Sequence, residues 1–128
     1  MESKMPAEDI LIVDDNPINL KLMRVLLMSE GYQVRTAVDA EAALIALKTF
    51  HPKLIMMDLQ LPGMDGLALT RLIKKDPKTK HIIVIAVTAY AMKGDEEKAK
   101  NAGCDGYITK PIDTLGLPAL VAGYLGVN

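Results

Sequence analysis

An apolar run that ends in a single aspartate is the feature of this sequence that most restricts its fold. Residues 54–57 are all apolar, Asp58 follows directly, and Pro62-Gly63 and Asp65-Gly66 mark a turn soon afterwards. Such a run, with helical patterns on both sides, is typical of a central strand in a parallel sheet that is buried on both faces. The carboxyl ends of these strands border the ligand crevice of an open α/β sheet. We therefore expect Asp58 at the mouth of the sheet.

The rest of the chain alternates between apolar strands and amphipathic helices. The pattern predicts strands over 10–13, 33–37, 54–57, 82–87 and 106–109, and helices over 17–30, 40–50, 66–75, 93–102 and 118–125. This alternation implies a parallel sheet with right-handed crossovers and five helices on both faces. The pattern does not fix the strand order, but a flavodoxin-like order of 2-1-3-4-5 would place the first and third strands side by side. In the first helix the expected buried face comprises Ile18, Leu22, Val25 and Leu26, widened by Leu20, Met23 and Leu27.

Composition limits the size, the compartment and the partners of the chain. Its 128 residues, half of them apolar, suit a single domain with a real core, and residues 1–8 are expected to form a loose N-terminal segment. The net charge of −1 gives no electrostatic case for nucleic acid or membrane binding. The single cysteine, Cys104, fits a reducing compartment, and no apolar run could span a membrane. These features predict a cytoplasmic protein.

Polar side chains suited to phosphoryl chemistry follow four of the predicted strands. Asp14 and Asp15 follow the first strand, Asp58 the third, Thr88 the fourth and Lys110 the fifth. In a parallel sheet these ends share one edge, where three carboxylates repel one another and favour a cation such as Mg²⁺, which prefers oxygen ligands. An ammonium and a hydroxyl beside the metal could bind phosphoryl oxygens. The cluster therefore predicts phosphoryl transfer with Asp58 as the nucleophile.

Each of these residues also has an ordinary structural interpretation. Asp14 and Asp15 could be solvated residues before a helix, where acidic side chains are favourable. Thr88 could be a capping threonine and Lys110 a solvated lysine. What favours a function is that all of them are expected at the same edge of the sheet.

Four segments of the chain together resemble the receiver domain of two-component response regulators. They are residues 11–16, 57–66, 87–89 and 107–111, which read LIVDDN, MDLQLPGMDG, VTA and YITKP. The resemblance covers about residues 8–125. Because nothing follows the last predicted helix, the chain looks like a stand-alone, single-domain bacterial regulator.

The resemblance implies a phosphorylation site with a magnesium ion. Asp58 would take a phosphoryl group from a phosphohistidine on a sensor histidine kinase or a phosphotransfer protein. Mg²⁺ would be held by Asp15, Asp58 and the backbone carbonyl of Gln60, with Asp14 acting through water. The chain would not be an enzyme acting on a separate substrate, because it would assist only its own phosphorylation and dephosphorylation.

The resemblance also implies how the phosphorylated state is held. Thr88 and Lys110 would contact the phosphoryl oxygens, and the Lys110–Pro111 peptide bond would be cis. Gln60 and Tyr90, each two positions after an active-site residue, are expected to flank the path of the hydrolytic water and to set the lifetime of the phosphoryl group.

A further expectation concerns the output of the switch. Phosphorylation would draw the Thr88 hydroxyl inward, and Tyr107 would turn into the vacated space. The change would reach the face formed by residues 93–125, where a downstream protein target would bind.

Three other functions fit parts of the pattern. A phosphatase with an aspartate nucleophile needs a second acid, commonly two residues after the nucleophile, where this chain has Gln60. A flavin- or nucleotide-binding module would need a glycine-rich, anion-friendly loop at the position of Asp14-Asp15. A receiver domain excised from a larger regulator or hybrid kinase would share every motif and would differ only in its gene boundaries.

Overall fold

The computed structural model describes residues 8–89 and 94–126. Its strands are β1 (Asp9–Val13), β2 (Gln33–Ala37), β3 (Leu54–Asp58), β4 (Ile83–Thr88) and β5 (Gly106–Thr109). Its helices are α1 (Pro17–Met28), α2 (Ala40–Ala46), α3 (Gly66–Lys75), α4 (Asp95–Ala102) and α5 (Leu117–Leu125). No helix within the described ranges is both long enough and apolar enough to cross a membrane.

The expected loose segment at residues 1–8 lies outside the described residues except for Glu8. The carbonyl oxygen of Glu8 accepts a hydrogen bond of 3.0 Å from the Gln33 backbone N–H. This last residue of the segment therefore already contacts the start of β2.

The five strands form one parallel sheet in the order β2-β1-β3-β4-β5, which confirms the predicted flavodoxin-like architecture. The register pairs Val13 with Met57, Asp58 with Val87, and Thr88 with Thr109. The carboxyl ends of β1, β3, β4 and β5 therefore meet at one edge of the sheet.

The sheet separates two apolar cores, which confirms that helices cover both faces. Every residue of β3 is buried, and its side chains alternate between the cores. Ile55 and Met57 pack on the side of α2, α3 and α4. Leu54 and Met56 pack on the side of α1 and α5. Since β3 is held from both sides, Asp58 stands on rigid support.

Side-chain caps set the starts of the first three helices. Asn16 accepts hydrogen bonds from the backbone N–H groups of Ile18 (2.8 Å) and Asn19 (3.2 Å), while Asp39 and Asp65 each cap the helix that follows them. The helix predicted over 40–50 ends earlier, at Ala46. Residues 47–50 continue only as hydrogen-bonded turns.

The predicted buried face of α1 is confirmed only in part. Leu20, Met23 and Leu27 are buried, whereas Ile18 is 76% exposed and Val25 is 52% exposed. Apolar residues occur around more than one face of this helix, so their spacing alone cannot select the face that meets the sheet. The buried residues are spaced by three and four positions, as packing of one helical face requires.

Candidate functional site

Three carboxylates converge at the carboxyl edge of the sheet. Asp14 and Asp15 follow β1, and Asp58 is the last residue of β3. One oxygen from each side chain lies within 4.8 Å of the other two. Asp14 and Asp58 are buried, whereas Asp15 is exposed. The cluster therefore opens to solvent on the side of Asp15.

The loop after each strand orients the buried carboxylates. Asp58 Oδ1 accepts a hydrogen bond of 2.9 Å from the backbone N–H of Gln60. Asp14 Oδ1 accepts one of 2.8 Å from the backbone N–H of Asn16. In both cases the donor lies two residues after the acid, a local turn that aspartate favours. Each carboxylate keeps its second oxygen, Oδ2, for other partners.

Lys110 supplies the positive charge of the site. Its Nζ lies 3.3 Å from Asp14 Oδ2 and 3.4 Å from Asp58 Oδ2, and its side chain is 17% exposed. The Lys110 backbone N–H donates to the carbonyl oxygen of Thr88 (2.8 Å), and the peptide bond to Pro111 is cis. The Lys110 ammonium thus faces two buried carboxylates.

The environment of Asp58 opposes its ionisation. Burial is the main cause that raises the pKa of Asp58, from 3.8 to about 6, and the nearby charge of Asp14 raises it further. The Gln60 N–H and the Lys110 ammonium act in the opposite direction without cancelling the shift. The ionised form of Asp58 is therefore less favourable in the folded chain than in water.

This arrangement fits a magnesium ion. Asp14 Oδ2 is buried, and within the described part of the chain it forms an ion pair with Lys110 but no hydrogen bond of good geometry. The potential ligands of the cluster are all oxygens, one of them on an exposed side chain that leaves room for water. Mg²⁺ prefers such ligands and retains several of its waters. The acidic cluster is therefore compatible with bound Mg²⁺.

Thr88 is buried at the end of β4 and contacts Gln60 across the site. Gln60 Nε2 donates to Thr88 Oγ1 (3.0 Å), and Thr88 Oγ1 also lies 3.3 Å from Gln60 Oε1. The backbone N–H of Ala89 donates to the same Gln60 Oε1 (3.3 Å). The sequence predicts that Gln60 flanks the water path and that its carbonyl binds the metal, but it does not reveal this contact. Thr88 and Gln60 are 28 positions apart, so no local pattern could have revealed it.

Tyr107 lies on β5, opposite Ala86 on β4, and is partly buried. Burial raises the pKa of the Tyr107 hydroxyl, and the charges of Asp95 and Glu96 raise it further. Tyr107 lines a groove of about 620 Å³ between α4, β5 and α5. It therefore lines an open surface, on the strand next to the one that carries Thr88.

Tyr90 lies outside the described residues. Its expected position beside the hydrolytic path stays a prediction.

The sequence matches a known family over most of its length. The profile of the response regulator receiver domain matches residues 10–122. The polar-differentiation response regulator DivK of Brucella ovis is 46% identical over 121 residues, which cover 94% of this chain and 98% of that protein.

Solved structures agree with this match. A CheY-like response regulator receiver domain protein from Methanospirillum hungatei has a TM-score of 0.87 and 32% identity, covering 94% of both chains. The receiver domain of a sensor histidine kinase from Pseudomonas aeruginosa has a TM-score of 0.85 and 32% identity, covering 94% of this chain and 98% of that one. That structure has a magnesium ion coordinated in its active-site cleft. With the fold, the acidic cluster and these relatives in agreement, this chain belongs to the response regulator receiver domains of two-component signalling.

Proposed function

We propose that Asp58 accepts a phosphoryl group from a phosphohistidine on a sensor histidine kinase or a phosphotransfer protein. The observation that carries this proposal is a buried carboxylate at the end of the central strand, 3.4 Å from Lys110 and inside an acidic cluster. In the transfer, the phosphorus–nitrogen bond of the donor breaks as a bond forms from phosphorus to an Asp58 oxygen, and the imidazole leaves with the electron pair. The same chemistry applies if the chain is a receiver domain of a larger regulator.

The residues around Asp58 would have different roles in this transfer. Lys110 would neutralise charge on the phosphoryl oxygens, and the Thr88 hydroxyl would donate to one of them. Mg²⁺, when bound, would supply further positive charge to the carboxylates and the phosphoryl oxygens. Asp15, Asp58 and the Gln60 carbonyl would hold the ion directly, and Asp14 would act through water.

A first prediction tests the acceptor. Asp58→Asn keeps an oxygen for the Gln60 N–H but removes the nucleophilic carboxylate. Incubation with acetyl phosphate and Mg²⁺, followed by intact-mass measurement, should show one phosphoryl group on the wild-type chain and none on Asp58→Asn. A chelator should prevent labelling of the wild type.

A matched control is available on the next loop. Asp65 caps α3 through Ala68 N–H (2.8 Å), and asparagine can make the same cap. Asp65→Asn should therefore be labelled like the wild type. Equal labelling of Asp58→Asn and the wild type would show that Asp58 is not the acceptor.

We also propose that the output is a protein contact through the face of residues 93–125, of which the structure describes 94–125. The α4 helix is weakly anchored, because only Ala99 and Ala102 of its eight residues are buried. Weakly anchored elements shift at low free-energy cost. The groove beside Tyr107 provides an apolar surface for a partner, with Pro111 and Leu117 in its lining. Signalling of this kind suits a cytoplasmic location, which we also propose.

A second prediction tests the route from the site to this face. Amide hydrogen exchange should change over residues 94–110 when the wild-type chain is phosphorylated. Tyr107→Ala should still accept the phosphoryl group, but the change over 94–110 should be at least halved, because the side chain that fills the space behind Thr88 is missing. Changes confined to α2, with none over 94–110, would contradict this route.

A further inference from the structure

The side chain of Gln60 hydrogen-bonds to Thr88, which a phosphoryl group on Asp58 is expected to contact, and to the next residue, Ala89. We propose that Gln60 is an internal latch, whose amide occupies the Thr88 hydroxyl and the Ala89 N–H in the unphosphorylated chain and must release both on activation. This proposal rests on the phosphoryl-acceptor function of Asp58. It assigns Gln60 a role in setting the ease of activation, separate from any role in the lifetime of the phosphoryl group.

The contacts of Gln60 Oε1 put the amide in competition with a phosphoryl group on Asp58. Gln60 Oε1 accepts the Ala89 N–H at 3.3 Å and lies 3.3 Å from Thr88 Oγ1. A phosphoryl oxygen on Asp58 is also an acceptor and would compete for the same N–H and hydroxyl. One N–H cannot make a good hydrogen bond to both acceptors at once. Each phosphoryl oxygen that takes one of these donors therefore displaces the Gln60 amide from it.

The backbone holds Gln60 in place while its side chain remains able to move. The Gln60 N–H donates to Asp58 Oδ1 at 2.9 Å, which fixes the residue beside the acceptor. Gln60 itself is exposed, whereas Thr88 and Asp58 are buried. A released amide can therefore hydrogen-bond to water, so its release leaves none of its own polar atoms unsatisfied. Release of the latch thus becomes favourable once a phosphoryl oxygen replaces the amide.

The test uses beryllofluoride, a non-hydrolysable phosphoryl mimic that binds aspartate carboxylates, in the presence of Mg²⁺. Gln60→Met keeps a side chain of similar length and removes the amide. Because Gln60 is exposed, the substitution should leave the fold intact. Loss of the latch should tighten beryllofluoride binding about fivefold, the effect of one net neutral hydrogen bond. Isothermal titration calorimetry measures the dissociation constant of each variant.

Two further variants separate a latch from a general structural effect. Gln60→Glu keeps an acceptor for both donors and should not tighten binding. The Thr88→Val background lacks the hydroxyl. In that background Gln60→Met should change the dissociation constant by a smaller factor than it does in the wild type, because the two side chains are in contact and their effects are coupled in a double-mutant cycle. If Gln60→Met changed the dissociation constant by the same factor in both backgrounds, Gln60 would not act through Thr88 and the latch proposal would be wrong.

The outcomes distinguish the latch from the function on which it rests. A wild-type chain that fails to bind beryllofluoride would overturn the proposed acceptor function and the latch with it. A wild-type chain that binds, together with unchanged or weaker binding by Gln60→Met, would overturn the latch alone. Weaker binding would mean that the amide contacts the mimic instead of competing with it.

Discussion

Replacing Asp58 with asparagine should make the metal-free protein more stable at pH 8, by about 2 kcal/mol. The reason is the raised pKa of Asp58, about 6 in the folded chain against an ordinary 3.8. A shift of that size corresponds to about 3 kcal/mol of unfavourable ionisation in the folded state. The expected gain is smaller, because Lys110 loses one of its two carboxylate partners in the variant.

The stability difference between Asp58→Asn and the wild type should depend on pH. A carboxyl group whose pKa is raised by folding destabilises the folded state when it is ionised. The wild-type chain should therefore lose stability as the pH rises from about 4 through 6. The advantage of Asp58→Asn should therefore be full at pH 8 and nearly absent at pH 4.

Urea denaturation in the presence of a chelator measures the difference, and Asp65→Asn serves as the control. Added Mg²⁺ should reverse the order at pH 8, because it stabilises the chain that binds it more tightly. A difference that is the same at pH 4 and pH 8 would show that the charge of Asp58 is not its cause.

The sheet could be predicted because its strands carry a strong local signal. β3 and β4 are runs of apolar residues that end in one polar residue, Asp58 and Thr88 respectively. Alternation of such strands with helices implies a parallel sheet, in which these two strand ends lie at the same edge. Convergence of Asp14, Asp58 and Lys110 followed from that topology. That these residues lie at one edge depends only on where each strand ends, which the sequence shows directly. Their closeness along that edge also depends on the strand order, which the pattern alone does not fix.

Other features depend on packing between distant segments and could not be predicted. The buried face of α1 is an example, since Ile18 and Leu20 are both apolar and only contact with the sheet selects Leu20. The hydrogen bonds from Gln60 to Thr88 are another, because they depend on the pairing of Asp58 with Val87 and on one side-chain conformation. The residue types limit which side chains can be buried or hydrogen-bonded at these positions, but they do not decide which ones are.

Gly66 shows how a residue without a side chain supports the site. It is the first residue of α3, and its backbone N–H donates to the carbonyl oxygen of Leu59 (3.3 Å). A Cβ atom on Gly66 would overlap the carbonyl oxygen of Asp58 and would lie 2.9 Å from Leu59 Cα. Both obstacles are backbone atoms, so neither can move aside by changing a rotamer. Only glycine therefore allows α3 to start this close to the end of β3.

Gly66→Ala should lower the free energy of unfolding by about 2–3 kcal/mol, the cost of forcing extra volume into a packed region. It should also slow phosphorylation by acetyl phosphate at least tenfold, because relief of the overlap displaces the end of β3 that carries Asp58. Gly123→Ala is the matched control. Apart from the neighbouring residues and the backbone of its own helix, no heavy atom of the described chain lies within 4 Å of its added Cβ, and alanine favours the helix by about 0.5–1 kcal/mol. That variant should be slightly more stable than the wild type and equally reactive. If Gly66→Ala matched Gly123→Ala in urea denaturation and in labelling rate, the close approach of α3 to β3 would not be what holds Asp58 in place.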